Sequence, residues 1–463
     1  MSFISFEFVA LFVASFLVYH LIGEKGKKPV LLVASCVFIG YFHIAFLITA
    51  LLISLLTFTA GRMIETGRRK ERSRGMYWAS VGGLVLCWIG FRHAGHLTGN
   101  ASILFPLGIS FYTFQAIGYL TEVYWEEEKA ERNLLDFLLY MLLFMKFLSG
   151  PIERPADLLT QIRKLQPPTY RMMTYGLKLI VVGLVKKLVL ADHIAPYIDG
   201  VFDSMRTASG LQLLMACLLY PLEMYADFSG YTDMAIGSAM LFGLRLSPNF
   251  NRPFTAKTTT DFWRRWHISL SSWVRDYLYL PLTSVSRRWG QWGIAGSLIV
   301  TFIVLGMWHG VGWTFVVYGL LQGVVIVWEL KTQNIRKAIR NRMGKPLFAT
   351  LSTLRTYLIF AVSLVFFRSD SLDDAIYFLR HISFQTHSSW KEMNIGMSDP
   401  ICIVAGAALL LIWIYEYFMW RSNVLQKLEK QPMAIRWSVY YLIIFAIFAY
   451  GKFGTENFIY LQF

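Results

Sequence analysis

Apolar stretches with almost no charged residues recur along the whole length of this 463-residue chain. They include residues 4–21, 76–91, 298–307 and 401–413. Only 16% of all residues are charged, whereas about 25% is usual for a soluble globular domain. This pattern excludes an ordinary soluble enzyme and predicts a polytopic membrane protein.

The continuous apolar stretches favour helices over strands as the membrane-spanning elements. Hydrocarbon gives the backbone no hydrogen-bond partner, so a spanning segment is either a helix or part of a closed barrel. Barrel strands alternate apolar and polar residues, and these stretches do not. We therefore predict an all-α fold with candidate spans at 4–22, 29–43, 44–60, 75–96, 101–124, 134–149, 171–191, 210–226, 229–245, 292–309, 312–330, 347–367, 400–420 and 436–451.

Basic residues cluster in the segments between the apolar stretches, as at 23–28, 62–74 and 336–345. The positive-inside rule places such loops in the cytoplasm, where they face anionic lipid. It accounts for the net charge of +15 without a nucleic-acid partner. We expect the N-terminus outside, and the first apolar segment to be a span rather than a removable signal peptide.

The sequence contains neither an internal repeat nor a metal-binding motif. Its four cysteines lie in apolar stretches without CxxC spacing, so neither a zinc site nor a disulfide framework is expected. Glycine-rich phosphate loops and the GxSxG and HExxH motifs are missing from the sequence as well. We predict one membrane-embedded domain, 1–463, with no metal.

The segment 260–277 interleaves tryptophans with charged residues and contains His267. Placed on one helix, Trp263, Trp266, His267 and Trp273 share a broad face, and the neighbouring arginines lie beside it. An aromatic belt with snorkelling arginines at the membrane interface is one interpretation. The histidine favours a functional one, because an imidazole at that depth needs a hydrogen-bond partner or a chemical task.

A second histidine, His309, ends another strongly apolar stretch. Gly306 and Gly310 have the GxxxG spacing that lets two helices approach closely, so the glycines alone indicate packing. An ionisable side chain inside a membrane is a candidate for function, and histidine is suited to removing a hydroxyl proton near neutral pH. The remaining histidines lie at expected span ends or in loops and are interpreted as interfacial.

Polar residues also interrupt the apolar pattern at 223–233, among them Glu223, Asp227 and Asp233. A carboxylate in that position either orients a histidine or forms an ion pair with an arginine. Structural pairing is the simpler interpretation.

Several motifs occur in order over almost the whole chain. Trp263-Arg-Arg-Trp-His-Ile-Ser-Leu-Ser271 and Met307-Trp-His-Gly310 are the most specific. The others lie at 105–114, 149–154, 227–236, 249–254, 365–368 and 458–463. Together they resemble bacterial membrane-bound O-acyltransferases, of the branch that includes the membrane subunits of alginate O-acetylation and of teichoic-acid D-alanylation.

The resemblance implies a ring of tilted helices around a thinned centre, with re-entrant or interfacial helices and a tunnel through the membrane. It implies that His309 is the catalytic histidine and that His267 is a second functional histidine. His309 would act as general base on the acceptor hydroxyl or would position the thioester. Substrate-binding residues are expected at Trp266, Arg265, Trp308, Asp227 and Ser269, and oxyanion stabilisation is expected from tryptophan indoles, His267 or Arg265.

The implied activity is transfer of an acyl group, in the first place acetyl, from a cytoplasmic thioester to a hydroxyl outside the membrane. The thioester is acetyl-CoA or the phosphopantetheine of an acyl carrier protein, a co-substrate rather than a tightly bound cofactor. The implied acceptor is an exported polysaccharide or an extracytoplasmic partner transferase, and the implied location is the bacterial inner membrane.

Two alternatives stay open from the sequence. One is transfer of D-alanine or another acyl group to teichoic acid or a related envelope polymer. The other is a transporter or channel in which buried histidines relay protons. The segment 283–289 and Gln322 depart from the alginate-type pattern, and this leaves the acceptor open.

Overall fold

The structure is a computed structural model of the chain. It describes residues 3–67, 70–98, 105–148, 150–384 and 424–454, with the single positions 406, 410 and 414. Every regular element in this part of the chain is a helix, as the all-α prediction requires. The described residues form two compact units, Met1–Val181 with Tyr231–Pro248 and Val182–Gly230 with Asn249–Phe463. The prediction of one domain over 1–463 stays a prediction.

The first unit is built mainly from the N-terminal helices. Its elements are α1 (Phe6–Leu21), α2 (Glu24–Phe42), α3 (Ile44–Thr66), α4 (Lys70–Thr98), α5 (Ile109–Tyr124), α6 (Leu134–Leu142), α7 (Phe144–Phe147), a π-helical turn (Pro155–Leu159), α8 (Thr160–Arg163) and most of α9 (Tyr170–Leu184).

Aromatic side chains form part of the core of the first unit. The ring of Phe144 lies 6.2 Å from that of Phe38 and 6.3 Å from that of Phe242. Tyr19 is fully buried, and its hydroxyl donates a hydrogen bond to the carbonyl of Phe242 at 2.8 Å. These contacts bury large apolar surfaces and give the buried Tyr19 hydroxyl a hydrogen-bond partner.

The second unit contains the two histidines that the sequence singles out. Its elements are a π-helical segment (Val185–Ala191), α10 (Asp192–Asp203), most of α11 (Gly210–Leu241), α12 (Thr259–Trp263), α13 (Ile268–Val274), a second π-helical turn (Arg275–Tyr279), α14 (Leu280–Val285), α15 (Gly290–His309), α16 (Trp313–Lys331), α17 (Gln333–Met343), α18 (Lys345–Arg368), α19 (Leu372–His381), α20 (Val424–Glu429) and α21 (Met433–Tyr450).

Five of the described helices are long and apolar enough to cross a membrane. They are Ile44–Thr66, Arg287–His309, Trp313–Lys331, Lys345–Arg368 and Met433–Tyr450. This agrees with the prediction of a polytopic membrane protein. The predicted helical ring and tunnel stay predictions.

The prediction of two spans at 210–226 and 229–245 is wrong, because α11 runs without interruption from Gly210 to Leu241. The polar residues in its middle break the apolar pattern but not the helix. Asp227 forms an ion pair with Lys187 at 2.6 Å, so its charge is compensated inside the protein.

The predicted span at 134–149 is also wrong. Leu143 leaves the helical conformation with ψ 113°, and the backbone N–H of Phe144 donates to the hydroxyl of Ser35 at 3.1 Å. The remaining nine-residue helix α6 is about 14 Å long, too short to cross about 30 Å of hydrocarbon.

The predicted loop at 23–28 is mostly helical, because α2 begins at Glu24.

Other predictions fall where the structure gives no description. Most of the predicted span at 400–420, the motif at 458–463 and the first residue of the motif at 149–154 lie outside the described residues.

Candidate active site

The segment that carries His267 is a sharply broken helix. α12 ends at Trp263 and α13 begins at Ile268, so the prediction that Trp263, Trp266, His267 and Trp273 share one helical face is wrong. His267 itself adopts the left-handed conformation, with φ 44° and ψ 56°. A non-glycine residue at positive φ is strained, and this break sets the direction of its side chain.

Asn249 holds the strained histidine in place. Its side-chain Oδ1 lies 3.1 Å from Nδ1 of His267, and it accepts hydrogen bonds from the backbone N–H of Ser269 at 3.2 Å and from the Ser269 hydroxyl at 2.9 Å. The backbone carbonyl of Asn249 accepts from the N–H of Ile268 at 2.9 Å. Asn249 and His267 are both almost completely buried.

These contacts determine the tautomer of His267. A backbone N–H can only donate, so the atom of Asn249 that meets Ser269 is the oxygen, and Nδ1 of His267 must donate to the same oxygen. In the neutral ring Nε2 then carries the lone pair. Burial, followed by the electrostatic effect of His309, lowers the pKa of His267 well below its ordinary value, which favours the neutral ring.

His309 is the last residue of α15, where a tight helical hairpin begins. α15 and α16 are joined by three residues and pack through glycines, because a Cβ on Gly306 would lie 2.2 Å from the carbonyl oxygen of Phe315. Only 6% of His309 is exposed. Its ring meets those of Trp308 at 4.7 Å, Phe367 at 5.2 Å and Tyr318 at 6.1 Å.

The two histidines belong to one neighbourhood of the second unit. His309 lies near enough for its charge to act on His267, and the ring of Phe228 packs edge-on against His267 at 4.8 Å. Two buried imidazoles, one of them fixed in a single tautomer, can accept and pass a proton.

The other predicted site residues have defined surroundings. Trp266 packs among aromatic rings, including that of Phe360 at 5.0 Å. Trp308 contacts His309 directly. Arg265 forms an ion pair with Asp261 at 2.9 Å. Of these three residues, Trp308 has the direct contact with a candidate histidine.

Asp227 and Ser269 have structural contacts. Lys187 lies 2.6 Å from Asp227 and 2.8 Å from Asp192, so Asp227 forms an ion pair with a lysine. Ser269 shares the oxygen of Asn249 with His267. Ser269 therefore helps to position His267, and the substrate-binding roles of both residues stay predictions.

Sequence reasoning missed Asn249, Tyr318 and Phe367. Asn249 opens the motif at 249–254, but its contact with His267 spans 18 residues and no local pattern predicts it. Gln322, where the family pattern often has histidine, accepts a hydrogen bond from the indole of Trp263 at 3.0 Å.

Four of the histidines interpreted as interfacial make hydrogen bonds with the backbone. His20 meets the carbonyl of Leu241, His43 accepts from the N–H of Ala45, His193 meets the carbonyl of Tyr450, and His381 meets that of Tyr377. Within the described ranges, no group of three or more histidine, cysteine or acidic side chains is arranged to hold a metal ion.

Comparison with known proteins identifies the family. The family model described as the membrane-bound O-acyltransferase family matches residues 126–367. The chain is 30% identical over 453 residues to "Probable alginate O-acetylase AlgI" of Pseudomonas aeruginosa, covering 94% of this chain and 84% of that protein. It is 27% identical to the peptidoglycan O-acetyltransferase of Helicobacter pylori, covering 95% of this chain and 94% of that protein.

A shorter similarity links the chain to the teichoic acid D-alanyltransferase of Streptococcus thermophilus. These two are 30% identical, covering 54% of this chain and 64% of that protein. The family match includes both His267 and His309. The chain is an enzyme that transfers acyl groups, and it belongs to the membrane-bound O-acyltransferase family.

Proposed function

We propose that this enzyme transfers an acetyl group from a cytoplasmic thioester to a hydroxyl on the extracytoplasmic side of a bacterial inner membrane. The observation that carries the proposal is the pair of buried imidazoles in the second unit, His309 at the end of α15 and His267 fixed by Asn249. Two of the relatives are named as O-acetyl-transferring enzymes, which supports acetyl as the transferred group.

His309 is the general base in this proposal. It removes the proton from the acceptor hydroxyl, and the oxygen then attacks the thioester carbonyl. The tetrahedral intermediate collapses, the carbon–sulfur bond breaks, and the thiolate takes the proton from His309. The products are an ester and a free thiol, so no oxidant or metal is needed.

His267 supports this step as a hydrogen-bond acceptor. With its Nδ1 donating to Asn249, the neutral ring offers a lone pair at Nε2 and no N–H there. This argues against neutral His267 as the donor that stabilises the oxyanion. It favours His267 as the group that accepts a hydrogen bond from the acceptor hydroxyl or from His309.

General chemistry and the named relatives support a choice of donor and acceptor. Acetyl-CoA and a phosphopantetheine-bearing carrier protein both present a thioester and carry phosphate groups, which suit the basic residues of α17. An exported polysaccharide is the acceptor we favour. A partner transferase that receives the acetyl group first is the alternative acceptor.

Mass spectrometry of exported polymer and envelope proteins tests the proposal. Cells would carry the wild type, His309→Ala, or His381→Ala as a control, because His381 is an exposed histidine that contacts Tyr377. At equal protein levels, an acetyl mass increment should be present with the wild type and His381→Ala and missing with His309→Ala. An increment that persists in His309→Ala contradicts the proposal.

The same spectra separate D-alanyl transfer from acetyl transfer, because the two groups add different masses. The partial similarity to a teichoic acid D-alanyltransferase makes this comparison necessary. A D-alanyl mass increment that depends on His309 would support His309 as the catalytic residue, and D-alanine would then replace acetyl as the proposed transferred group.

A further inference from the structure

Three buried polar side chains lie in the second unit together with His309. They are Tyr318 on α16 and the pair Tyr220 and Glu223 on α11, and each is only 3% exposed. Tyr318 lies beside His309, with 6.1 Å between the ring centres. Tyr220 and Glu223 are three residues apart on one helix and therefore share a face.

Ring contacts connect the surroundings of His309 and Tyr318 with those of Tyr220 and Glu223. The ring of Phe367 lies 5.2 Å from His309 and 5.3 Å from Tyr318. The next residue, Arg368, lies 5.7 Å from the ring of Phe202, which in turn packs against Tyr220 at 5.9 Å. The hydroxyl of Tyr220 also interacts electrostatically with Glu223 and Tyr318. The three polar side chains therefore lie in the same part of the second unit as His309.

None of the three has a hydrogen-bond partner among the described residues. The Tyr220 hydroxyl is buried without a hydrogen bond. The Tyr318 hydroxyl and the Glu223 carboxylate likewise make no hydrogen bond within the described ranges. Buried polar groups are normally hydrogen-bonded, because an unmade bond destabilises the fold. Groups left unsatisfied in a native protein often serve a ligand.

Lys187 and Arg368, which act electrostatically on Glu223 and on Tyr220, already form ion pairs with other carboxylates. Lys187 pairs with Asp192 and Asp227, and Arg368 pairs with Asp199 at 3.0 Å. The carboxylates of Asp227, Asp199 and Asp192 also act on Glu223. Lys186, which is also buried, lies 5.4 Å from the ring of Tyr225. The surroundings of Glu223 therefore disfavour an anionic ligand and favour a neutral hydrogen-bond donor.

Tyr318 lies toward the membrane side from which an exported acceptor would enter. α17 is basic and lies between the spans α16 and α18, so the positive-inside rule places it in the cytoplasm. The opposite helix ends then point outward. Arg368 ends α18, and Tyr318 lies near the start of α16.

We propose that Tyr318, Tyr220 and Glu223 form the acceptor subsite and that it binds the hydroxyls of an uncharged carbohydrate. The inference rests on the function proposed above and specifies its acceptor. Two phenols and a carboxylate supply several hydrogen-bonding groups, which match the adjacent hydroxyls of a sugar better than the single hydroxyl of a serine. A polyuronate brings its own carboxylates into an already acidic place.

Acetyl transfer by the purified full chain tests the subsite. The donor is acetyl-CoA, and the probes are cellopentaose, an oligomannuronate of equal length and a serine-containing peptide. Tyr220→Phe and Glu223→Gln should each raise the KM for cellopentaose about tenfold, the effect of one lost hydrogen bond. The KM for acetyl-CoA should stay unchanged.

Thermal unfolding of the same variants separates binding from structure. Tyr220→Phe removes an unsatisfied hydroxyl, so its Tm should equal or exceed that of the wild type. Tyr19→Phe is the matched control, because that buried hydroxyl is hydrogen-bonded and its loss should lower the Tm. A fall in Tm with Tyr220→Phe as large as that with Tyr19→Phe overturns the subsite, whatever the activity.

The outcomes distinguish the subsite from the proposed function. A wild type that transfers no acetyl group to any probe contradicts the subsite, and the mass spectra of wild-type and His309→Ala cells then test the proposed function separately. A wild type that acetylates cellopentaose, with an unchanged KM in both variants, contradicts the subsite alone. Preference for the oligomannuronate or for the serine peptide overturns the assignment to an uncharged carbohydrate.

Discussion

Replacing Asn249 by alanine should destabilise the second unit and slow catalysis. The Asn249 side chain accepts hydrogen bonds from Nδ1 of His267 and from the backbone and hydroxyl of Ser269. At about 1 kcal/mol for each bond, the loss amounts to about 3 kcal/mol of unfolding free energy. The backbone bond from Ile268 should survive, so the local chain path should be kept.

Turnover should fall for a separate reason. Without the oxygen of Asn249, the His267 ring is no longer held in the tautomer that places its lone pair on Nε2. A rise of about 1.4 kcal/mol in the activation barrier slows a reaction about tenfold, and we expect at least that loss. With acetyl-CoA, one of the donors proposed above, release of free thiol measures turnover, and denaturant unfolding in detergent measures stability.

Two control variants separate the two effects. Asn251→Ala removes an exposed asparagine two residues away and should change neither property. Ser269→Ala removes one of the bonds to Asn249 and should cost about 1 kcal/mol while leaving the tautomer of His267 intact. If Asn249→Ala matches Asn251→Ala in both stability and turnover, the argument from the hydrogen bonds is refuted.

Two further predictions concern packing and pH. Gly319→Ala would put a Cβ 2.1 Å from the carbonyl oxygen of Phe302 and should lower the free energy of unfolding by about 1–3 kcal/mol in denaturant. The control Gly296→Ala, whose Cβ would have no atom within 4 Å, should not lower it. Equal losses of unfolding free energy in the two variants would refute the close packing. Burial raises the pKa of Glu131, but hydrogen bonds from the backbone and from Arg163 outweigh burial and hold it below its ordinary value. The stability that Glu131 contributes should therefore be full above that ordinary value and lost as the pH falls through the lowered pKa, so Glu131→Gln should lower the Tm at pH near 7 and make little difference in strong acid.

The sequence predicted the helical membrane architecture but not the continuity of each helix. Hydropathy divided 210–245 into two spans, because Glu223 and Asp227 interrupt the apolar run. The ion pair with Lys187 compensates the charge of Asp227 inside the protein. Lys187 lies 40 residues away in the chain, so a local pattern holds no information about the pair.

The sequence singled out the two histidines as candidates because an imidazole in an apolar segment needs a hydrogen-bond partner or a chemical task. It did not predict their surroundings. The helical periodicity assumed for 260–277 failed at His267, where the chain takes a left-handed conformation that propensity does not predict for histidine. Asn249 was missed because its function depends on a contact that exists only after folding.

The left-handed conformation of His267 explains why the site can be ready before any substrate arrives. A non-glycine residue held in the left-handed region destabilises the fold by about 1–3 kcal/mol. The three hydrogen bonds to the Asn249 oxygen stabilise it by about 3 kcal/mol. The two contributions are of similar size, so the strained turn persists without help from a ligand. Because the break ends α12 and starts α13, relaxing His267 into an ordinary helix would move its ring away from Asn249. The strain and the tautomer are therefore maintained together, and substrate binding need not bring either about.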